Sequence, residues 1–300
     1  MTNRDRLETL LDGGTPDAPP HWELVFQIPQ AMFGMDPSDV AEEDRWAFHA
    51  DVHRRLIDEF DWAAVPAAEG YNPDAIAHVK TALGDDALVP GYEGGGVFWL
   101  LPGSAYMDFS VKLFERPEEL HAEARTKCDA AKESLRRMAD AGADFFVLTY
   151  DFGFNDAPFI SPAHFQDLVT PYLAEIVDVS HGLGKVAILH SDGCLTEILD
   201  QLHGTGLDGY QSVDPQGHMD IKRVREQFPD WLLMGNVNCA MLQDGTEEEI
   251  RGSVSYCMEH GGIGKRYILS TSNCIYAGMP PENYRLMVDE HRQCVLRSEG

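Results

Sequence analysis

The sequence lacks any long hydrophobic run and any apolar segment near its first residue. No stretch of the 300 residues approaches about 18 consecutive apolar positions, and the opening Met-Thr-Asn-Arg-Asp-Arg has no signal-peptide core. The six cysteines are scattered without a Cys-x-x-Cys pair, so we expect reduced thiols rather than a disulfide framework. These absences predict a soluble, cytoplasmic protein with no membrane segment.

Positive charge is also scarce. The chain carries 23 Lys and Arg against 50 Asp and Glu, a net charge of −27 at pH 7. A surface this acidic would repel nucleic-acid phosphates and anionic lipid headgroups. We therefore expect neither a nucleic-acid partner nor a membrane partner, and a small molecule as the substrate.

Strands alternate with helical patterns through most of the chain after residue 116. This rhythm is typical of parallel βαβ units, and about eight such units in a chain of this length favour a closed barrel. We predict the α/β class, with an N-terminal extension at 1–20 and a single (β/α)8 TIM-type barrel at 21–300. The predicted strands after the first half are 144–150, 185–190, 209–213, 231–236 and 266–271.

The first half is less regular. His21–Ile28 alternates apolar and polar residues and is predicted as the first strand, and residues 96–101 and 107–112 as further strand pieces. No Gly-rich phosphate loop follows the first strand, so an open dinucleotide-binding sheet has no support. The first strand also has no His-x-His, which disfavours a metal hydrolase.

Polar side chains collect at the predicted strand ends, where barrel enzymes place their active sites. His190 and Asp192 end the strand 185–190 and, at alternate positions, would point to the same side. The first strand offers Glu23 and Gln27. Other ends carry Tyr150, Asp151, Asp214, Asn236 and Cys274.

A zinc site is one interpretation of these strand ends. A catalytic zinc takes about three protein ligands with nitrogen, sulfur or oxygen donors, and His190, Asp214 and Cys274 are the preferred three. Asp192 is a fourth ligand or a group that orients one; Cys194, Cys239 and Glu23 are the other residues able to complete the site. Each preferred ligand also has an ordinary alternative: an acid/base or hydrogen-bonded histidine, an N-cap aspartate and a buried apolar cysteine.

The same residues belong to a wider pattern that resembles the uroporphyrinogen decarboxylase-like superfamily, closest to its zinc- and corrinoid-dependent methyltransferase branch. The matching pieces occur in order over about residues 140–295. They include Tyr150-Asp-Phe-Gly, Leu189-His-Ser-Asp-Gly, Gly209-Tyr-Gln-Ser-Val-Asp-Pro, Met234-Gly-Asn-Val-Asn and Ser270-Thr-Ser-Asn-Cys.

The resemblance implies a ligand set. Zinc methyltransferases of the superfamily use His-x-Cys on one strand and a later Cys, and the related cobalamin-independent methionine synthase adds a Glu between them. His190 matches the His, Asp214 the Glu-type position and Cys274 the final Cys. Asp192 stands where the first Cys is expected, which implies a harder, oxygen-richer zinc site.

The resemblance further implies a zinc-dependent methyltransferase that moves a methyl group between a small methylated substrate and a separate corrinoid protein. The chain has no cobalamin-binding Asp-x-His-x-x-Gly, so the methylcobalamin or other corrinoid would come from that partner. Tyr150, Asp151 and Glu23 would then be catalytic. Substrate contacts would come from Trp22, Gln27, Phe152, Asn236 and Tyr276. The aromatic side chains among them suit an aromatic methyl ether as the substrate, so the reaction would be an O-demethylation. A homodimer is compatible with this interpretation.

Two alternatives stay open. One is a metal-independent decarboxylase of the same type acting on a small carboxylate, with Asp151 and His190 as acid and base. The other is a non-catalytic protein that binds a corrinoid partner. Decarboxylases of the family carry an Arg-rich N-terminal segment that clamps substrate carboxylates, whereas His21 to Met32 contains no Arg or Lys. That absence disfavours a porphyrinogen with many carboxylates.

Overall fold

Six parallel strands form one sheet whose spatial order follows the chain, β1-β2-β3-β4-β5-β6. The structure is a computed structural model and describes residues 1–298. The strands are short and almost wholly buried, as expected for a parallel sheet covered on both faces. They are β1 Pro90–Glu93, β2 Phe145–Thr149, β3 Ala187–His190, β4 Gly209–Ser212, β5 Leu232–Val237 and β6 Tyr267–Thr271.

Helices connect the strands, and several start where proline occupies the first helical turn, a position that needs no backbone N–H. Capping boxes at Thr2 and Thr246 start two others. In chain order the α-helices are α1 Asn3–Leu11, α2 Pro29–Phe33, α3 Arg45–Phe60, α4 Pro73–Leu83, α5 Tyr106–Glu115, α6 Pro117–Asp140, α7 Pro162–Leu168, α8 Thr170–Gly182, α9 Leu199–Gly204, α10 Ile221–Gln227, α11 Cys239–Asp244, α12 Glu247–Cys257 and α13 Pro281–Ser298.

The five strands predicted after residue 140 are confirmed, but three local predictions are wrong. Residues 107–112 lie in α5, where Phe109 and Leu113 recur at helical spacing. Residues 96–101 form no strand, and the strand of this region is β1, which sequence analysis missed. His21–Ile28 forms isolated bridges at His21 and Phe26 instead of a continuous first strand.

Two extended segments lie between the outer strands β6 and β1. The amide of Leu269 donates to Pro20 O at 2.9 Å, and the amide of Ala63 donates to His21 O at 2.9 Å. The amide of Leu88, just before β1, donates to Ala63 O at 3.1 Å. These segments form isolated parallel bridges rather than strands, so the parallel sheet is established and the closed eight-stranded barrel stays a prediction.

The predicted N-terminal extension packs onto the remainder of the chain. Leu7 and Leu10 of α1 are fully buried in the main hydrophobic core, and Asn3 Nδ2 donates to Asp61 O at 2.8 Å. The boundary at residue 20 stays a prediction, and positions 299–300 of the predicted barrel domain lie outside the described residues. Over residues 1–298 we find no helix that is long and apolar enough to cross a membrane.

Candidate functional site

The carboxyl ends of β1, β2, β3 and β6 open into one cleft of about 1410 Å³. Parallel pairing brings these ends to the same edge of the sheet: Glu93 pairs with Leu148, and Thr149 pairs with His190. Strand-end residues that line the cleft are Tyr92, Glu93, Thr149, Asp151, His190, Asn273 and Cys274. The cleft therefore lies where sequence analysis placed the active site.

Asp151, His190 and Asp192 form the cluster at this edge that best fits a metal ion; we call it the Asp–His–Asp cluster. One potential ligand atom from each lies within 4.8 Å of the others, and His190 Nε2 is 3.7 Å from Asp151 Oδ1. Zinc holds nitrogen and oxygen ligands at 2.0–2.2 Å, so two donors of one ion are separated by at most about 4.4 Å. The His190–Asp151 pair already satisfies that limit, and the donor set suits a divalent cation.

Asp192 is held in place by three neighbours. Ser212 Oγ donates to its Oδ1 at 2.7 Å, Asn273 Nδ2 donates to its Oδ2, and its own amide donates to Asp151 Oδ1 at 3.2 Å. Burial raises the pKa of Asp192, while the charge of His190 opposes that effect. Ser212 has φ +103°, a value that non-glycine residues rarely adopt and that often marks functional sites.

The His190 ring is held in place through its Nδ1 atom. Its Nδ1 is hydrogen-bonded to Gln211 Oε1, and Gln211 Nε2 donates to Thr271 O at 3.2 Å. His190 and Gln211 are register partners on β3 and β4, so the sheet itself brings them side by side. The ring edge that remains available, Nε2, faces Asp151.

Of the three preferred zinc ligands, the structure places only His190 in the cluster. Asp214 caps the turn that follows β4: its Oδ1 accepts from Gln216 N at 2.9 Å and its Oδ2 from Gly193 N at 3.1 Å. Cys274 lines the cleft, and burial raises its thiol pKa to about 12. Asp151, predicted as catalytic, takes the place in the cluster that Asp214 was expected to fill.

The other residues considered for the metal lie apart from the cluster. Cys194 is partly exposed, with Sγ 3.6 Å from Thr196 Oγ1. Cys239 is buried, and its Sγ is 3.7 Å from Cys274 O. Glu23 is fully buried at the end of β6, where it accepts hydrogen bonds from Thr271 N at 3.0 Å and Thr271 Oγ1 at 2.7 Å. Burial raises the pKa of Glu23 to about 7.

Tyr150 is buried beneath the cleft lining and contacts Glu93, which does line the cleft. Its side chain is fully buried and its hydroxyl donates to Glu93 Oε2. Glu93 itself lines the cleft at the end of β1 and accepts a second hydrogen bond from Gly95 N at 2.9 Å. Burial raises the pKa of Tyr150 well above its ordinary value.

Of the five predicted substrate contacts, the structure places only Gln27 on the cleft within residues 1–298. Trp22 packs edge-on against Phe145, and Phe152 against Phe165. The remaining two are Asn236, which is buried and donates to Val213 O at 2.8 Å, and Tyr276, which is half-buried outside the lining. Trp22 and Phe152 therefore belong to the core, where aromatic side chains bury large areas.

Three residues of the site were missed by sequence analysis. Glu93 ends a four-residue strand that starts with proline and so carries no strand signal. Gln211 is a polar residue in a strand that is buried throughout, and its position in a predicted strand was a signal that was available. His53 of α3 is nearly buried and lines the cleft, and its Nδ1 has no hydrogen-bond partner. Burial lowers the pKa of His53 to about 3, which keeps the ring neutral.

Acidic groups dominate the charge of the cleft. Glu69, Glu93 and Asp151 line it, whereas Arg137 is the single Arg or Lys of the lining formed by the described residues. Arg137 is exposed on α6. A substrate with many carboxylates would therefore find few cationic partners here.

Comparison with known proteins identifies a family and relatives. Residues 52–294 match the family described as Uroporphyrinogen decarboxylase (URO-D). The chain is 28% identical over 224 residues to the chloroplastic uroporphyrinogen decarboxylase of Nicotiana tabacum, covering 71% of this chain and 54% of that protein. It is 24% identical over 243 residues to the uroporphyrinogen decarboxylase of Vibrio vulnificus (strain YJ016), covering 75% and 65%. The match thus spans about half of the tobacco protein and under two thirds of the bacterial one.

Two solved structures share the fold. A methyltransferase from Methanosarcina mazei superimposes with a TM-score of 0.78 at 18% identity, covering 98% of this chain and 99% of that one. A B12-independent methionine synthase from Shewanella sp. W3-18-1, in complex with selenomethionine, gives 0.55 at 11% identity, covering 87% and 91%. At these identities the similarity shows a common fold.

Proposed function

Because the chain belongs to the uroporphyrinogen decarboxylase (URO-D) family, we propose that it is an enzyme of this fold that works as a metal-dependent methyltransferase. It moves a methyl group between a small methylated substrate and the cobalt of a separate corrinoid protein. The observation that carries the proposal is the Asp–His–Asp cluster, whose potential ligand atoms lie within 4.8 Å of one another and of which Asp151 and His190 line the cleft. The structural similarity to a protein described as a methyltransferase agrees with it.

The architecture proposed with this function is a closed eight-stranded barrel. Segments 20–23 and 63–65 would provide the two strands that complete it. They already form backbone hydrogen bonds with β6, with each other and with Leu88, two residues before β1. Closure would place all strand ends around one opening, as in other barrels of this kind.

His190 Nε2 and the carboxylates of Asp151 and Asp192 would hold the zinc, and Cys274 is the further ligand available at the cleft. When bound, the ion supplies Lewis acidity toward an ether oxygen or a thiol of the substrate. Ser212 and Asn273 keep the Asp192 carboxylate in place through their hydrogen bonds. A carboxylate that is already held in position can bind the metal without rearranging.

In the demethylating direction, the bond between the methyl carbon and its oxygen breaks. The methyl group passes to Co(I), which is formally oxidised to Co(III), and the oxygen keeps the electron pair and takes up a proton. Glu93 lines the cleft at a strand end and is outside the proposed ligand set, so it would deliver that proton. Gln27 and His53 would orient the substrate through hydrogen bonds.

The second candidate is a metal-independent decarboxylase, favoured by the names of the curated relatives. Asp151 and His190 would then act as the acid/base pair across their 3.7 Å separation. The acidic lining, with Arg137 as its cation, disfavours a substrate with many carboxylates, so a small monocarboxylate would be the substrate in that case.

Methyl transfer to free cob(I)alamin tests the proposal. The zinc-loaded protein is incubated with a panel of aryl methyl ethers that includes 3-methoxybenzoate, and methylcobalamin is followed by its absorbance while released CO2 is measured in parallel. We expect methylcobalamin without CO2, and loss of the product in Asp192→Asn. The control Asp156→Asn changes an aspartate whose side chain is 88% exposed and should retain activity. CO2 release without methylcobalamin would contradict the methyltransferase and support the decarboxylase.

A further inference from the structure

The Gln211 side chain has one possible orientation. It is completely buried, so water cannot replace its partners. Its Nε2 lies 3.2 Å from Thr271 O, a carbonyl that can only accept a hydrogen bond. Turning the amide over would set two oxygens against each other, so the Oε1 atom has to face His190.

This orientation decides where the His190 ring carries its proton. Nδ1 lies against Gln211 Oε1, which accepts but cannot donate, so Nδ1 must be the protonated nitrogen. In the neutral ring the lone pair is then on Nε2, which is 3.7 Å from Asp151 Oδ1 within the Asp–His–Asp cluster. A neutral imidazole with that nitrogen available is the form that binds a metal or accepts a proton.

The chain builds this contact from three strands. His190 on β3 and Gln211 on β4 are register partners, and the Gln211 side chain reaches past β5 to the backbone of β6. The backbone of one strand therefore orients an amide on a second strand, which orients the ring on a third. No loop takes part, so the arrangement is set by the sheet.

We infer that Gln211 is a positioning residue that fixes His190 in the Nδ1–H tautomer and so directs the Nε2 lone pair into the Asp–His–Asp cluster. The effect on metal affinity rests on the proposed function, whereas the tautomer itself does not. Groups that orient a ligating histidine in this way typically contribute about 10- to 100-fold in metal affinity.

Nitrogen-15 NMR of the histidine rings tests the tautomer directly. Spectra of the full chain are recorded at pH 8 after treatment with EDTA, and His190→Gln identifies the His190 signals. We expect an unprotonated Nε2 and a protonated Nδ1 in the wild type. The same tautomer is expected in Gln211→Glu, whose buried carboxyl group, when protonated, keeps an acceptor oxygen toward Nδ1 and an O–H donor toward Thr271 O. Gln211→Leu should give a mixture of tautomers, and the exposed-site control Gln216→Leu should match the wild type. A protonated Nε2 in the neutral wild-type ring would overturn the inference even if every variant failed to fold.

Zinc affinity, measured by competition with a chelator, tests the consequence. Gln211→Leu should bind Zn²⁺ about 10- to 100-fold more weakly than the wild type and the Gln216→Leu control, and Gln211→Glu should restore most of the affinity. Equal affinity of the wild type and a folded Gln211→Leu would overturn the positioning role. A wild type that binds no zinc but shows the expected tautomer would contradict the proposed function and leave the tautomer assignment standing.

Discussion

Glu23 provides a prediction that depends only on burial. Its carboxyl is fully buried and burial raises its pKa from the ordinary 4.5 to about 7, despite hydrogen bonds from Thr271 and Ser270 that act in the opposite direction. The folded state therefore binds this proton more tightly than the unfolded state. Between about pH 4.5 and pH 7 the folded protein holds the proton that the unfolded chain has lost, so stability falls as the pH rises.

The size of that fall follows from the two pKa values. A difference between 4.5 and about 7 corresponds to about 3 kcal/mol, at roughly 1.4 kcal/mol for each pH unit. Most of the loss, about 2–3 kcal/mol, falls between pH 5 and pH 8. The variant Glu23→Gln cannot ionise at this position, so its free energy of unfolding should rise relative to the wild type by that amount over the same range.

Urea unfolding followed by circular dichroism at pH 5 and pH 8 measures this difference. The matched control is Glu248→Gln, an exposed glutamate in the first turn of α12. The stability of this variant should follow the wild-type pH dependence, because the Glu248 side chain is exposed to solvent. If the free energies of unfolding of Glu23→Gln and the wild type change in parallel between pH 5 and pH 8, burial does not raise the pKa of Glu23 in the folded protein.

Two further substitutions test the supports of the site. Tyr150→Phe removes the hydroxyl that donates to the buried Glu93 carboxylate and should lower the free energy of unfolding by about 1–3 kcal/mol; unchanged stability would show that this pair contributes nothing. Gly193 has φ +79°, and a Cβ there would lie 2.4 Å from Gly153 O. Gly193→Ala should therefore cost about 2–4 kcal/mol, whereas Gly204→Ala, with nothing within 4 Å of the added Cβ, should stabilise by at most about 1 kcal/mol. Equal effects of the two alanines in thermal unfolding would contradict the close approach.

The regular half of the fold was predictable because its strands are buried on both faces. Such strands appear in the sequence as apolar runs, as in Phe145–Thr149 and Tyr267–Thr271. The family was predictable from the polar motifs at the ends of these strands, and residues 52–294 confirm it. β1 was missed, because four residues beginning with proline carry neither the length nor the composition of a typical strand.

The composition of the site was only partly predictable. The strand pattern predicts that His190 and Asp192 lie on the same side at the end of one strand, and the structure brings them together with Asp151. The sequence leaves ligation and capping open for Asp214, because an aspartate before proline fits both. In the structure the backbone amides of Gly193 and Gln216 donate to its two oxygens. Gln211 acts through a contact with Thr271 O, 60 residues further along the chain, which no local pattern reveals.

The proposed function requires that the Asp–His–Asp cluster holds a metal ion, which metal analysis of the protein purified without chelators measures. We predict one zinc for each wild-type chain and in Asp156→Asn, and loss of the metal in His190→Ala and in Asp192→Asn. The double variant His190→Ala with Cys274→Ala should contain none. A wild-type protein without stoichiometric metal, or zinc retained in that double variant, would show that the Asp–His–Asp cluster is not a metal site.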